Sequence, residues 1–219
     1  MDTRKILAEL VGTFVFFLIG LMSILSTKAF GAVPDLLVIA FGFGLGLFAA
    51  IQIAGAVSGG HFNPAVTIGA LLDGRIDPVN AVGYIIAQLV GGVGAAAFVL
   101  VMSSQAAVAG TRTHPGTGVS DIQALVIEAV FTAIFVAVIL TVTRLDPGKA
   151  FVVIPLTLVV IHLALVPITG SSVNPARSIA SAVVGADLDQ ILIYIIGPVI
   201  GAVGGWAVYR ALFDEPAKV

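Results

Sequence analysis

The chain has 219 residues, of which 59% are hydrophobic and 10% are charged, and its formal net charge is -2 at pH 7. Because a soluble domain carries about 25% charged residues, this chain has too little polar surface to cover a water-facing globule, and its composition indicates a polytopic membrane protein of one domain. The small net charge gives no basis for binding nucleic acid, and the absence of cysteine excludes disulfides and thiolate chemistry.

The first apolar run extends from Ile6 to Ser26. Basic residues precede it, as in a secretory signal peptide, but Glu9 interrupts the apolar part, and the run is long enough to cross a bilayer. We therefore predict a first transmembrane helix that is retained in the protein.

Six apolar runs are long enough to cross ~30 Å of hydrocarbon as helices. They are Ile6–Ser26, Leu36–Val57, Val79–Met102, Ile122–Val142, Ala150–Ile168 and Gln190–Leu212. Two further apolar segments, Pro64–Leu72 and Pro175–Val184, are about half that length and cannot span alone. The predicted fold is an all-α membrane protein with six transmembrane helices plus two re-entrant half-helices.

The lysines and arginines of the connections predict the orientation, because cytoplasmic loops are rich in them. With the N-terminus inside, the cytoplasmic side holds most of these residues, namely Arg4, Lys5, Arg75, Arg144, Lys149, Arg210 and Lys218. The outer side holds Lys28 and Arg112, with Arg177 if that residue belongs to a loop. We predict an integral membrane protein of the cell membrane whose two termini are cytoplasmic.

Three landmarks occur in the same order in both halves of the chain. They are Glu9 with Thr13 and Glu128 with Thr132, then Asn63-Pro64-Ala65 and Asn174-Pro175-Ala176, then Tyr84 and Tyr194. Each half holds an odd number of spans, so the second half enters the membrane from the opposite side. This pattern predicts inverted repeats of approximately residues 1–105 and 120–219 within a single channel domain, 1–219, and such folds place their site near the midplane at interrupted helices.

The two Asn-Pro-Ala boxes each predict the start of a helix, because Asn is a favoured N-cap and Pro fits the first helical position. Inverted symmetry brings the two half-helices in from opposite faces, so that their N-termini meet in mid-membrane. Each N-terminus carries about half a positive charge, which repels cations and hydronium. The side chains of Asn63 and Asn174 can then offer N–H donors to a passing neutral molecule.

The segments "SGGHFNPAVT" and "TGSSVNPARS" resemble the signatures of the aquaporin (major intrinsic protein) family, and the resemblance covers all six spans. It implies an aquaporin-like fold, passive conduction of water with exclusion of protons and ions, and a homotetramer with one pore per subunit. It implies no enzyme activity. No cofactor is predicted, and no metal site is expected because the three histidines lie far apart in the sequence.

The resemblance also implies a narrow selectivity filter outward of the Asn-Pro-Ala centre. At the spacing that the family has, the filter positions are Phe43, His162, Ser171 and Arg177. Phe, His and Arg together resemble the water-selective subgroup, whereas glycerol facilitators typically place Trp and small residues there. His and Phe would narrow the bore, and Arg would supply fixed donors and positive charge.

Glu9 and Glu128 are acids inside predicted spans, where an ionisable residue suggests a function. Their symmetric placement favours a structural role, in which each accepts hydrogen bonds from a re-entrant loop and holds it in shape. The resemblance implies the same role. Proton transfer by these carboxylates is the alternative.

Water and the lipid bilayer are the predicted partners, but other functions stay open. After Tyr194 many water-specific members have Trp, whereas this chain has Ile195, so a channel for glycerol, ammonia or another small neutral solute is an alternative. A proton-coupled secondary transporter that uses Glu9 and Glu128 belongs to a different class. A membrane structural or junction protein is a third.

Overall fold

The computed structural model describes residues 2–30 and 35–213. In that part of the chain, six helical segments are long and apolar enough to cross a membrane, namely Thr3–Thr27, Leu36–Ser58, Pro78–Met102, Asp121–Leu145, Pro147–Thr169 and Ile193–Phe213. The predicted six spans are confirmed. The two half-helices occupy Pro64–Leu72 and Pro175–Val184, with the bounds that the sequence predicts.

The helices follow one another along the chain with short connections. They are α1 Thr3–Phe30, α2 Asp35–Ala50, α3 Ala56–Ser58, α4 Pro64–Leu72, α5 Pro78–Met102, α6 Gln105–Ala109, α7 Asp121–Leu145, α8 Ala150–Thr169, α9 Pro175–Val184 and α10 Ile193–Phe213. A π-helical turn, Ile51–Gly55, joins α2 to α3, and a 3-10 turn, Pro147–Lys149, precedes α8. The second span is therefore one continuous helical rod in which the π turn changes the register.

Among the span ends that differ from the prediction, two have a local reason. Helix α1 begins at Thr3 because the Asp2 carboxylate accepts hydrogen bonds from the Arg4 and Lys5 backbone N–H groups, at 3.1 and 3.3 Å. Helix α10 begins at Ile193 and not at Gln190, because Gln190 has a φ of 60° and interrupts the helical path. Lys218, counted for the orientation, lies outside the described residues.

The long helices cross closely at glycines in equivalent places of the two halves. A Cβ atom added to Gly91 on α5 would lie 2.4 Å from the Leu10 carbonyl oxygen of α1. A Cβ added to Gly201 on α10 would lie 2.4 Å from the Ala129 carbonyl oxygen of α7. Larger residues at these positions would push the helix pairs apart. Small residues at the contacts between membrane helices let the two backbones approach closely.

The half-helices run to opposite ends of the bundle. Beyond α4, the Arg75 side chain bonds the Leu140 carbonyl oxygen near the C-terminal end of α7 at 2.9 Å. Beyond α9, the Gln190 side chain donates to Asp121, the first residue of α7, at 2.8 Å. Each half-helix also packs against long helices of the other half, α4 against α10 and α9 against α5. The two N-termini consequently face each other inside the bundle.

Candidate functional site

The two Asn-Pro-Ala boxes meet through reciprocal hydrogen bonds. The Asn63 side-chain nitrogen donates to the Val173 carbonyl oxygen at 2.8 Å, and the Asn174 side-chain nitrogen donates to the Phe62 carbonyl oxygen at 3.0 Å. An amide nitrogen carries two hydrogens, so each asparagine keeps one N–H for another acceptor. Both asparagines border the same cavity.

Each asparagine also caps its own half-helix. Pro64 and Pro175 are the first helical residues. The Asn63 side-chain oxygen accepts from the Ala65 backbone N–H at 2.8 Å, and the Asn174 side-chain oxygen accepts from that of Ala176 at 3.1 Å. Because the side-chain oxygen is occupied by the helix, the free side-chain N–H must point away from it.

Glu9 fixes the first re-entrant segment from within the bundle, where it is fully buried. Its carboxylate accepts from the Ser58 hydroxyl at 2.7 Å and from the His61 and Phe62 backbone N–H groups at 2.9 and 2.7 Å. Gln88 on α5 donates to it as well, at 2.7 Å. The carboxylate thus accounts for several buried donors that would otherwise lack an acceptor.

Glu128 does the same for the second re-entrant segment. It accepts from the Thr169 hydroxyl at 2.7 Å and from the Ser172 and Val173 backbone N–H groups at 2.9 and 2.8 Å. Val173 has a φ of 43°, a left-handed conformation that costs a β-branched residue about 1–2 kcal/mol. Its N–H is held by Glu128 and its carbonyl by Asn63, so the strained residue is fixed at both of its polar groups.

A cavity of ≈ 270 Å³ runs past both asparagines. Its wall holds three of the predicted filter residues towards one end and Arg75 with the last turns of α7 towards the other. The residues that mark this path are Phe43, His162, Arg177, Asn174, Asn63, His61, Thr143 and Arg75. The cavity therefore extends from the filter residues to Arg75, past the point where the half-helices meet.

Phe43, His162 and Arg177 lie together at the α9 end of the cavity. The Phe43 and His162 rings stack with centroids 4.8 Å apart, and the Arg177 guanidinium carbon lies 5.2 Å from the Phe43 centroid. His162 Nδ1 lies 3.1 Å from the Leu158 carbonyl oxygen. Because a carbonyl can only accept, Nδ1 carries a proton, and in the neutral imidazole Nε2, which has no protein partner, is an acceptor.

Arg177 supplies the donors opposite this acceptor. Its Nη1 donates to the Thr111 carbonyl oxygen at 2.8 Å, which ties the guanidinium to the connection between the two halves. Its Nε is buried and has no protein partner. His162 and Arg177 both border the cavity and each keeps one polar atom without a protein partner, an acceptor and a donor, the two roles that water combines.

Ser171 is placed differently from the other three predicted filter residues. It is fully buried with a φ of 52°, and its hydroxyl oxygen has no protein partner. The cavity is bordered by its neighbours Ser172 and Val173 and not by Ser171 itself. A filter role for Ser171 stays a prediction.

The sequence reasoning missed several polar residues that brace the site. Gln88 bonds both Glu9 and Thr67, the latter at 2.9 Å, and the Tyr84 hydroxyl donates to the Ser58 carbonyl oxygen at 2.7 Å. Gln88 could have been found, because an amide inside an apolar span needs a partner. Arg75 was used only to orient the chain, although it borders the cavity.

The fold and this geometry are those of a known class of membrane proteins. The chain belongs to the major intrinsic protein family, whose model matches residues 1–209. It is 41% identical over 230 residues to "Aquaporin Z" of Photorhabdus laumondii, covering 97% of this chain and 98% of that relative. It is 38% identical over 209 residues to "Glycerol uptake facilitator protein-like 6" of Lactiplantibacillus plantarum, covering 91% and 94%.

A solved structure shows the same architecture. The aquaglyceroporin from Plasmodium falciparum matches with a TM-score of 0.88 over 97% of both chains, at 24% identity. The predicted family resemblance and the predicted fold class are confirmed by these comparisons.

Proposed function

We propose that this protein is a passive water channel that excludes protons and other ions. The observation that carries the proposal is one continuous cavity that passes both Asn63 and Asn174, each of which keeps one N–H free of protein partners. The similarity to "Aquaporin Z" of Photorhabdus laumondii supports the same function. Phe43, His162 and Arg177 would act as the filter at one end.

Ion exclusion follows from the electrostatics of the centre. Two helix N-termini face the cavity, and each is equivalent to about half a positive charge. Arg177 adds a full charge at the filter. A cation that leaves water for this path meets these positive ends and the Arg177 guanidinium, whereas a neutral molecule such as water can accept from the asparagines.

Glu9 and Glu128 have structural roles in this proposal. Both are fully buried, both accept several hydrogen bonds from the re-entrant segments, and neither borders the cavity. A proton-coupled transporter would need a carboxylate that reaches the path of the transported molecule. The contacts of both residues support passive conduction, and no enzymatic step is proposed.

Proteoliposomes test the function directly. With the wild-type protein, vesicles should shrink much faster than protein-free vesicles under a sucrose gradient, while an imposed pH gradient decays at the rate of the lipid alone. Shrinkage at the lipid rate would refute the water channel. Proton leak that rises with the amount of protein would favour the proton-coupled alternative.

Glycerol conduction is the second candidate, because a relative named as a glycerol uptake facilitator-like protein is 38% identical. This chain has Ile195 where many water-specific family members have Trp. The difference does not alter the cavity wall, since Ile195 does not border the cavity. We expect slow glycerol entry in the wild type. The double variant Arg177→Val with His162→Ala should admit glycerol faster, and unchanged entry would refute the filter assignment.

We further propose that four chains assemble into the homotetramer that the family resemblance implies. We also propose that both termini lie in the cytoplasm. Arg75, Arg144 and Arg210 lie at one end of the bundle around Tyr209 and Asp73, and a concentration of arginines is typical of the cytoplasmic side. Native mass measurement in detergent should give four chains. Protease added outside intact cells should leave a tag at either terminus uncut.

A further inference from the structure

The guanidinium of Arg177 is held mainly from outside its own helix. Within the described residues, both of its side-chain hydrogen bonds use Nη1, which lies 2.8 Å from the Thr111 carbonyl oxygen and 3.5 Å from the Ser181 hydroxyl oxygen one turn along α9. The shorter bond is to a backbone atom of the connection between the two halves. The position of that connection therefore determines where the guanidinium lies at the cavity wall.

The connection around Thr111 is attached to the second half of the chain at two places. Near the start of α9, the Thr113 and Ser178 hydroxyl oxygens lie 2.7 Å apart. Beyond the end of α9, Arg112 Nε lies 2.7 Å from a carboxylate oxygen of Asp187, in an ion pair whose side chains are 21% and 33% exposed. This ion pair holds the residue directly after the one whose carbonyl binds the guanidinium.

Asp187 is fixed by its own turn to receive Arg112. The turn after α9 passes through Ala186, whose φ of 54° is a left-handed conformation that residues other than glycine rarely adopt, whereas the turn after α4 has Gly74 there. One carboxylate oxygen of Asp187 accepts from the Asp189 backbone N–H at 3.1 Å, and the other pairs with Arg112. Arg112 Nη1 also donates to the Asp189 carbonyl oxygen at 3.3 Å. The ion pair thus joins the connection to a turn whose shape is set by its own hydrogen bonds.

We propose that Arg112 and Asp187 are positioning residues for the selectivity filter. Their ion pair keeps the Thr111 carbonyl where it binds Arg177, and it thereby determines how strongly the channel rejects glycerol relative to water. This inference rests on the proposed water channel. Loss of the pair frees the guanidinium to leave the cavity wall, which widens the bore for glycerol more than for the smaller water molecule. A partly exposed ion pair shifts a local equilibrium by about two- to fivefold.

Glycerol entry and water-driven shrinkage, measured on the same proteoliposomes, test the proposal. Arg112→Gln should raise the ratio of glycerol to water permeability about two- to fivefold. Arg112→Lys, which keeps a cation for Asp187, should retain the wild-type ratio. Lys149→Gln is the matched control, because it removes a cation from another short ion pair, with Asp146 at 2.6 Å, at the opposite end of the bundle. It should leave the ratio unchanged.

An Arg177→Val background separates positioning of the guanidinium from general loosening of the connection. If Arg112 acts through Arg177, adding Arg112→Gln to Arg177→Val should leave the permeability ratio of the Arg177→Val protein unchanged. A further rise would show that the connection shapes the bore by itself and would overturn the assignment.

A second variant keeps the proposal testable if Arg112→Gln fails to assemble. Asp187→Asn breaks the same ion pair from its other side and should raise the permeability ratio to a similar extent, again only when Arg177 is present. An unchanged ratio in either variant, with water flow still fast, would refute the role of the ion pair and leave the water channel standing. Absence of water flow in the wild type would refute the proposed function itself.

Discussion

The two re-entrant segments share one set of hydrogen bonds, and each is also held by further residues that the other lacks. In both, a buried glutamate accepts from two backbone N–H groups, and an asparagine bonds a carbonyl of the opposite segment. The first segment is then held by α5, through Gln88 to Glu9 and Tyr84 to the Ser58 carbonyl. At the equivalent places of the second half stand Pro198 and Tyr194, and the Tyr194 hydroxyl has no protein partner.

The second segment is held instead by the connection between the halves. The Thr113 and Ser178 hydroxyl oxygens lie 2.7 Å apart, and Ser178 donates to the Ser172 hydroxyl at 2.7 Å. The Gly116 backbone N–H donates to the Ile168 carbonyl at 2.7 Å. The hydrogen bonds that both segments share fix the meeting point of the half-helices. The contacts that differ between the segments allow the two ends of the cavity to carry different residues.

The largest expected effect comes from removing one of the two buried glutamates that hold the re-entrant segments. Glu9→Leu removes the acceptor of four hydrogen bonds, and Glu128→Leu removes that of three, at about 1–3 kcal/mol for each buried donor that is left unpaired. Both variants should lose thermal stability in detergent, measured by circular dichroism, and Glu9→Leu should lose more. Equal losses, or a greater loss for Glu128→Leu, would contradict the difference between the two braces.

The next effect isolates the brace that only the first segment has. Gln88→Leu should cost about 1–3 kcal/mol of unfolding free energy, because it takes a donor from Glu9. A double-mutant cycle should give a coupling of about 0.5–3 kcal/mol between Gln88→Leu and Glu9→Gln. The matched cycle with Glu128→Gln should give none. Coupling of the same size in both cycles would show that Gln88 acts through general packing.

The brace of the second segment gives a smaller effect. Thr113→Val removes one hydroxyl contact, worth about 1 kcal/mol, and should speed hydrogen exchange of the backbone around Ser172 to Ser178. Ser103→Ala is the control, because it removes a hydroxyl that bonds only the Val99 carbonyl within α5. Exchange measured by mass spectrometry should change in Thr113→Val alone. Identical exchange in the two variants would indicate that the connection does not brace α9.

The smallest effect is at the start of α5, where Asp77 caps the helix. Hydrogen bonds from the Asn80 backbone and side chain lower the pKa of this exposed carboxyl. A lowered folded-state pKa means that the stabilisation is complete above the usual aspartate value of about 3.9 and is lost as the pH falls through the folded-state pKa. Melting temperature should drop slightly over this range in the wild type and less in Asp77→Asn. The same drop in both would assign it to other carboxyls.

The sequence predicted those parts of the site that depend on local chemistry. Asn63 with Pro64, and Asn174 with Pro175, specify helix starts by themselves, so the bounds of α4 and α9 were predicted correctly. The six spans followed from length and apolar composition alone. The repeated Glu-x-x-x-Thr pair of the two halves marks Glu9 and Glu128 as equivalent residues.

What the sequence did not predict depends on contacts between distant segments. Gln88 meets Glu9 only after α1 and α5 cross, and Arg75 meets Tyr209 only after α4 packs against α10. The π turn of Ile51–Gly55 has no local signal of the kind that a proline or a cap provides. Ser171 matched the filter by spacing, but spacing does not determine which backbone group of a strained loop faces the cavity.

The central claim, that water moves through the cavity between the two asparagines, has one direct test. Because the chain contains no cysteine, Val66→Cys places a single thiol at the cavity wall, and Val90→Cys places one on the outer face of α5, where the valine is 54% exposed. Mercuric ion should reduce the water permeability of Val66→Cys proteoliposomes to the lipid rate, reversibly with a thiol reductant, and leave Val90→Cys and the wild type unchanged. Unchanged water flow through Val66→Cys protein that mass spectrometry shows to be fully labelled would contradict the claim.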